Sequence, residues 1–459
     1  MLKKILLSLI LSLTFITLYA CDTTSTSTST STLTSDYLYD PITVESYVLE
    51  EERKSFDFFW EVANTDSDSA GYGMISDRYN TKTGGMGSAS IASVGFGLAG
   101  IPIAIENSWI TYQEGYDRVL GTLETIEGMQ RTHGFFYHFV SMTSATRSGN
   151  SEVSIIDTAL MISGAIVAGE YFGGEIKTKV DEIYQAIEWD WFYDPIRLMF
   201  YMGYQPESGF AGHWDMYSEQ LLLYFLAAGS DDYPIGKVAY DRMKSNSQLK
   251  SYGTGSNFYV SWPGTIFTYQ YSHAFLDFRD AVDDNGVDWF ENSIKATTAA
   301  QEYGVWLSNN YLTYNATAWG NTASDGPDGY RAYGNLPAAG TIYIDGTLAP
   351  SGAIGSIVFT PDLVISTMSH YASIPQLQSK YGFLDAYNMG LTPNASLSVK
   401  RPNLTIPTTG WFATDVIGID KGITMLMIEN YRSSLIWDLF MLNVNIQEAF
   451  TVLEFEFTN

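Results

Sequence analysis

The chain of 459 residues holds a single cysteine, which excludes an intrachain disulfide and any zinc or iron–sulfur site built from several thiolates. Basic residues are also scarce. Lys and Arg number 24 against 51 Asp and Glu, and the net charge of −27 repels nucleic-acid phosphates, so no nucleic-acid partner is expected. The five histidines, at 133, 138, 213, 273 and 370, form no His-Glu-x-x-His helix, and no metal site is expected from them. Asp66-Ser-Asp68-Ser-Ala70-Gly71 starts like a calcium loop but carries Ala70 where an oxygen ligand belongs and lacks a closing Glu. The acidic run from Asp283 to Asp288 is a weak alternative for calcium. A Gly-x-Ser-x-Gly elbow and a phosphate loop are missing, and no cofactor is expected.

What is abundant is apolar and aromatic. Hydrophobic residues make up 46% and charged residues 16%, a core-building balance far from that of a disordered chain. Aromatics reach 15%, with 32 Tyr and 11 Trp, and flat faces with polar tips suit sugar rings as well as packing.

The N-terminal stretch pairs Lys3 and Lys4 with an apolar run to Leu18 and then Tyr19-Ala20-Cys21. It resembles a bacterial lipoprotein signal, and that resemblance implies cleavage after Ala20 and a lipid on Cys21. A plain N-terminal anchor is the alternative. Either implies export. The Ser/Thr tract that follows cannot bury surface to offset ordering entropy and reads as a tether. The expected organisation is a signal at 1–20, a lipidated Cys and tether at 21–39, and one folded body at 40–459. No later run of ~18 uninterrupted apolar residues occurs, so no further span is expected.

Helical periodicity predicts helices at 50–63, 90–107, 112–129, 154–172, 176–188, 215–228, 288–307, 361–373 and 421–442. The segment from 152 to 172 is apolar nearly all round and must be enclosed on every side, whereas 111–129 has one apolar stripe. Enclosed helices alternating with one-faced helices, without βαβ alternation, point to an all-α helical toroid. Residues 341–348 read as a hairpin on its rim.

The loops carry the specific signal. In order they are Tyr72–Arg78, Gly134–Phe139, Ser151–Ala159, Gly203–Phe210, His213–Glu219, Tyr269–Asp280, Trp319–Tyr330, Tyr381–Asn388, Gly418–Gly422 and Ile428–Tyr431. Taken in this order the set resembles the glycoamylase-like family, which includes the bacterial β-1,2-glucanases of glycoside hydrolase family 144. The resemblance covers about residues 50–455. It implies an (α/α)6 barrel with a sugar cleft at one mouth, acting on β-1,2-linked glucose chains or related glucans.

Glycoside hydrolysis needs two carboxyl groups flanking the bond, one protonated and one ionised. Glu207 follows Pro206 in a loop among Tyr204, Phe210 and Trp214, an aromatic setting that raises a carboxyl pKa and predicts the general acid. Capping of the next helix is its bland alternative. Glu219, placed inside the 215–228 helix beside Tyr217, is either catalytic or part of a core ion pair. Glu152 and Asp157 enter an enclosed helix, where Ser154-x-x-Asp157 is close to a capping pattern, and both are further catalytic candidates.

The resemblance places Asp77, Arg78, His138, Tyr204, Trp214, Tyr217, His273, Asp277, Arg279, Trp319, Asp325, Asp385, Asn388, Asp420 and Glu429 among substrate-binding candidates. A surface ion pair is the other reading of Asp77 and Arg78. A structural network explains His273, Asp277 and Arg279 equally well. The competing classes are a non-catalytic glucan-binding lipoprotein and a β-glucan transglycosylase, and the sequence does not choose between retaining and inverting chemistry.

Overall fold

A computed structural model describes residues 39–395 and 405–458; the predicted signal, Cys21 and nearly all of the predicted tether lie outside them. The described residues belong to a compact unit spanning Leu38–Asn459. In chain order its helices are α1 (Ser46–Glu61), α2 (Ile91–Glu106), α3 (Tyr112–Gly128), α4 (Ile155–Phe172), α5 (Gly174–Gln185), α6 (Leu221–Ala228) and α7 (Lys237–Asn246). There follow α8 (Trp289–Leu307), α9 (Pro350–Ile354), α10 (Pro361–Ala372), α11 (Gly418–Arg432), α12 (Leu435–Leu442) and α13 (Val444–Val452).

Packing sorts these into two layers. α2 lies between α4 and α11, α4 touches α6, and α9 touches α11. The gap between α6 and α9 is filled by 3-10 turns at Ile266–Tyr269 and Ser272–Ala274. Ser272 Oγ accepts the Leu222 amide at 2.9 Å and donates to the Glu219 carbonyl at 2.8 Å, tying those turns to α6. On the other side Gln270 Nε2 donates to the Gly352 carbonyl and Ser356 Oγ, tying them to α9. The inner ring is therefore α2, α4, α6, the 266–274 turns, α9 and α11, closed on itself. Outside it α1 packs on α2 and α11, α3 on α2, α5 on α4, α7 on α6, α8 on the 266–269 turn and α10 on α9. This is the (α/α)6 toroid, with α12 and α13 packed on α4 and α6.

The sequence explains the two layers. α2 is buried from Ile91 to Ala104 and α4 along most of its length, as all-round apolar composition requires. α4 is long and apolar enough to cross a membrane, but 83% of it is buried within the toroid. α2 and α4 approach closely because Gly95 and Gly164 face one another; a Cβ on Gly164 would fall 1.8 Å from the Gly95 carbonyl oxygen. α3 buries only its Val119, Leu123 and Ile126 stripe and starts with a capping box between Thr111 and Glu114.

Three expected elements differ. The predicted 215–228 helix starts only at Leu221, because Gln220 Nε2 bonds the Met216 carbonyl and Ser247 Oγ takes the Tyr217 amide. The predicted 421–442 helix is two, broken where Ser434 turns left-handed at φ 64°. Residues 341–348 form no hairpin: Asp345 Oδ1 takes the Thr347 amide, Gly346 sits at φ 97°, and Leu348 bridges Tyr387 instead. Rim hairpins do occur, chiefly Met199–Gln205 with Gly209–His213.

Candidate active site

The N-terminal ends of α4, α6, the 266–269 turn and α11 line one cleft, which marks that end of the ring as its mouth. Ser154 caps α4 and Asp157 sits in its first turn, Glu219 stands just before α6, and Asp420 lies in the first turn of α11. A cleft of about 720 Å³ opens there, lined by Glu152, Asp157, Trp214, Glu219 and Trp262 among others.

Among the described residues the Glu219 carboxyl takes one hydrogen bond, a long one from Ser218 Oγ at 3.5 Å. Burial and the charge of Asp157 push its pKa up to about 8, so it is a protonated acid at neutral pH. Asp157 accepts from Ser154 Oγ at 2.5 Å and lies 3.5 Å from His138 Nε2. His138 Nδ1 is 2.9 Å from Glu152 Oε1. Burial works against charge on this imidazole, yet Asp157, Glu152 and Asp77 outweigh it and hold its pKa up at about 9. The hydrogen bond from His138 in turn lowers the pKa of Glu152. One ligand atom from each of His138, Glu152 and Asp157 lies within 4.8 Å of the others, and a cation held there would have to displace the proton that these carboxylates favour on His138.

Asp420 is buried, with Oδ1 accepting from Ser351 Oγ at 2.8 Å. Burial raises its pKa to about 6. In ring order α6 and α11 are diametrically opposed, so Glu219 and Asp420 lie across the ring from one another: Glu219 lines the cleft, Asp420 lies just behind the cleft wall at Ile419 beside a small void shared with Asp385, and Asp157 stands on the helix next to Glu219. Asp385 feels the Asp420 charge, as do Tyr271 and Tyr330, which line the cleft. Asp77, Arg78, Asp325 and Asp415 form one rim network, with Arg78 Nη1 3.1 Å from Asp325 and 3.5 Å from Asp415. The buried Trp214 indole N–H has no partner among the described residues and is available to a sugar hydroxyl.

Several expectations are corrected. Glu207 lies in the turn of the rim hairpin, its side chain 62% exposed and held by Arg147 at 2.5 and 2.9 Å. Arg147 lowers its pKa, the reverse of what a general acid requires. Tyr204, in the hairpin itself, packs on Trp191 and on its cross-strand neighbour Phe210. Tyr217 stacks on Trp289 in the core, 4.7 Å between centroids. Trp319 is fully buried, and Asn388 is buried with its amide on Thr347 and the Asp345 carbonyl.

His273 is also core: its Nε2 meets Ser293 Oγ at 2.9 Å, and burial drives its pKa down to about 3. Asp277 and Arg279 pair with one another, and Arg279 covers Trp437 of α12. Glu429 lies near the C-terminus of α11, at the end of the ring away from the mouth, where Arg432 bonds both it and Glu52. Trp262, by contrast, was not singled out by the sequence; it is 58% exposed in the cleft, and its only local signal is a tryptophan in a Gly/Pro/Ser loop.

The family model Glycoamylase, described as "Putative glucoamylase", matches residues 212–444, just over half of the chain. The chain belongs to the glycoamylase family. That interval holds Trp214, Glu219, Trp262, Asp385 and Asp420. An exo β-1,2-glucooligosaccharide sophorohydrolase (non-reducing end) of Parabacteroides distasonis is 26% identical over 449 residues, covering 89% of this chain. The chain spans 58% of that relative's length. The endo-β-1,2-glucanase of Chitinophaga pinensis, in complex with sophorotriose and glucose, superposes with TM-score 0.78 at 24% identity, over 90% of this chain and 99% of that one. An endo-β-1,2-glucanase of Talaromyces funiculosus with sophorose gives TM-score 0.62 at 14% identity, over 88% and 90%. These two likenesses establish the toroidal fold.

Proposed function

We propose that this member of the family is a glycoside hydrolase acting on β-1,2-linked glucan or its oligosaccharides. The observation that carries the reading is the pair of carboxyls across the ring from one another, one kept protonated and the other near the pH where it ionises. Glu219 serves as general acid and gives its proton to the departing glycosidic oxygen. Asp420 serves as base and takes a proton from the attacking water. Asp157 and its partner His138 keep a negative charge next to Glu219, which holds the acid's proton in place until the leaving oxygen becomes more basic.

The linkage rests on the relatives, whose names specify β-1,2-glucan substrates. Trp214 and Trp262 supply a hydrogen-bond donor and a flat face to a neutral, hydroxyl-rich chain. The lipobox-like Tyr19-Ala20-Cys21 supports an exported protein held to a membrane by lipid on Cys21.

Incubation with β-1,2-, β-1,3-, β-1,4- and α-1,4-glucans, with products sized by chromatography, tests the reading. Sophorose-series products from β-1,2-glucan alone are expected. Binding of β-1,2-glucan without any hydrolysis would instead favour a sugar-capture protein.

A further inference from the structure

Asp385 reaches the site from a short strand region rather than an inner helix. Its amide donates to the Asp415 carbonyl at 3.0 Å, and its Oδ2 accepts the Asp325 amide at 2.6 Å, so the side chain is fixed at both ends. The carboxyl is buried and borders, together with Asp420, one small void between α9 and α11. Asp420 Oδ1 is taken by Ser351. That leaves one oxygen on each side chain, Asp385 Oδ1 and Asp420 Oδ2, and both are buried with no hydrogen-bond donor among the described residues.

Two buried carboxylates that share one void, each with an oxygen lacking a donor, are a repulsive arrangement, and a buried unpaired charge costs several kcal/mol. A single proton between them removes the problem. The neighbours decide which residue carries it. Asp420 has the Ser351 hydroxyl and the ammonium of adjacent Lys421, which pairs with Glu51 at 2.8 Å. Asp385 has only a backbone amide and faces the further negative charge of Asp325, itself engaged by Arg78. From the cleft side Asp420 is faced by the neutral hydroxyls of Tyr271 and Tyr330.

We propose that Asp385 is a positioning residue: a neutral carboxylic acid whose proton is donated to Asp420 Oδ2, fixing the orientation of the base while its remaining lone pairs stay free to accept a proton. This rests on the reading of Asp420 as base. Burial and the charges of Asp420 and Asp325 raise the Asp385 pKa well above the carboxylate range, in keeping with that assignment.

Asp385→Asn retains a donor at the same place, so kcat should stay within about threefold of wild type, KM should not change, and the acid limb of the kcat profile should stay where it is. Asp385→Ala removes the donor; kcat should fall about tenfold or more, and the acid limb should move to higher pH because a buried, undonated Asp420 is harder to ionise. In infrared difference spectra at neutral pH, wild type minus Asp385→Asn should show the carbonyl band of a neutral carboxylic acid, a readout independent of turnover. Absence of that band, or an acid limb that moves down by a pH unit or more in Asp385→Asn, would show an ionised Asp385 and overturn the proposal. Asp420→Asn separates the two readings. If it kept most of its activity, Asp420 would not be the base and the positioning role would fall, whereas the infrared band would still report where the proton sits.

Discussion

Arg147 holds Glu207 through both guanidinium nitrogens, at 2.5 and 2.9 Å, in the turn of the Met199–Gln205 and Gly209–His213 hairpin. The pair is solvent-facing on the Glu207 side, while Arg147 also bonds Gln205 and the Ser151 carbonyl at the edge of the cleft. Glu207→Gln should therefore keep kcat within about threefold of wild type, since an exposed ion pair is screened by solvent and contributes little. Steady-state assay on β-1,2-glucan checks this, and a loss of a hundredfold or more would return Glu207 to the role of acid.

Glu219→Gln should have two opposite effects. Turnover should fall by roughly 10²–10⁴ with substrate binding retained, the contribution of a positioned acid. Stability at neutral pH should rise by roughly 1–3 kcal/mol, because a carboxyl whose folded pKa lies above its unfolded value costs stability as pH rises through that interval. Kinetics with calorimetry on the same variant checks both. A variant that lost stability and activity together would mark Glu219 as structural.

The pH profile of kcat should be a bell. Asp420 must be ionised, and its pKa of about 6 sets the acid limb; Glu219 must be protonated, and its pKa of about 8 sets the basic limb. Asp420→Asn should lower turnover across the whole range. A wild-type profile that stayed flat from pH 5 to 9, both values flanking the bell by about a unit, would contradict this pairing.

His138 should make stability fall in mildly alkaline solution. Its folded pKa of about 9 lies above the ordinary 6.5, so its stabilisation is complete below pH 6.5 and is lost as pH rises through 9. The span corresponds to at most roughly 3 kcal/mol. Melting temperatures from pH 6 to 10 should show that loss in wild type and a flatter curve in His138→Gln, with the pH range chosen to bracket about 6.5 and 9.

Trp262→Ala should raise KM about three- to tenfold for long glucans and leave kcat nearly unchanged, the effect of removing one stacking face outside the reacting bond. Comparison of short and long β-1,2-oligosaccharides gives the readout. Equal effects at every chain length would show that no distal sugar rests on Trp262.

The layers of the toroid were legible from the residues because burial has a compositional signature: α2 and α4 are apolar all round, whereas α3 has a single stripe. The 3-10 turns at 266–274 and the five-residue α9 were not, since turns so short show no period, and the ring needed them to close. The loop motifs placed Asp157, Glu219, Asp385 and Asp420 on the candidate roster together with residues of the core and of the far rim. His273 and Glu429 looked as suitable as Asp420, because a polar residue in an apolar run reads the same whether it faces a cleft or a buried partner.

The sequence by itself determined a helical toroid with carboxylates and aromatics in its loops, since hydrophobic period and residue type are local properties. Only the tertiary structure decided which carboxyl keeps its proton. Glu207 met Arg147 sixty residues away, while Glu219 met burial and the charge of Asp157, and a pKa depends on those neighbours and their distances rather than on the residue or its flanks.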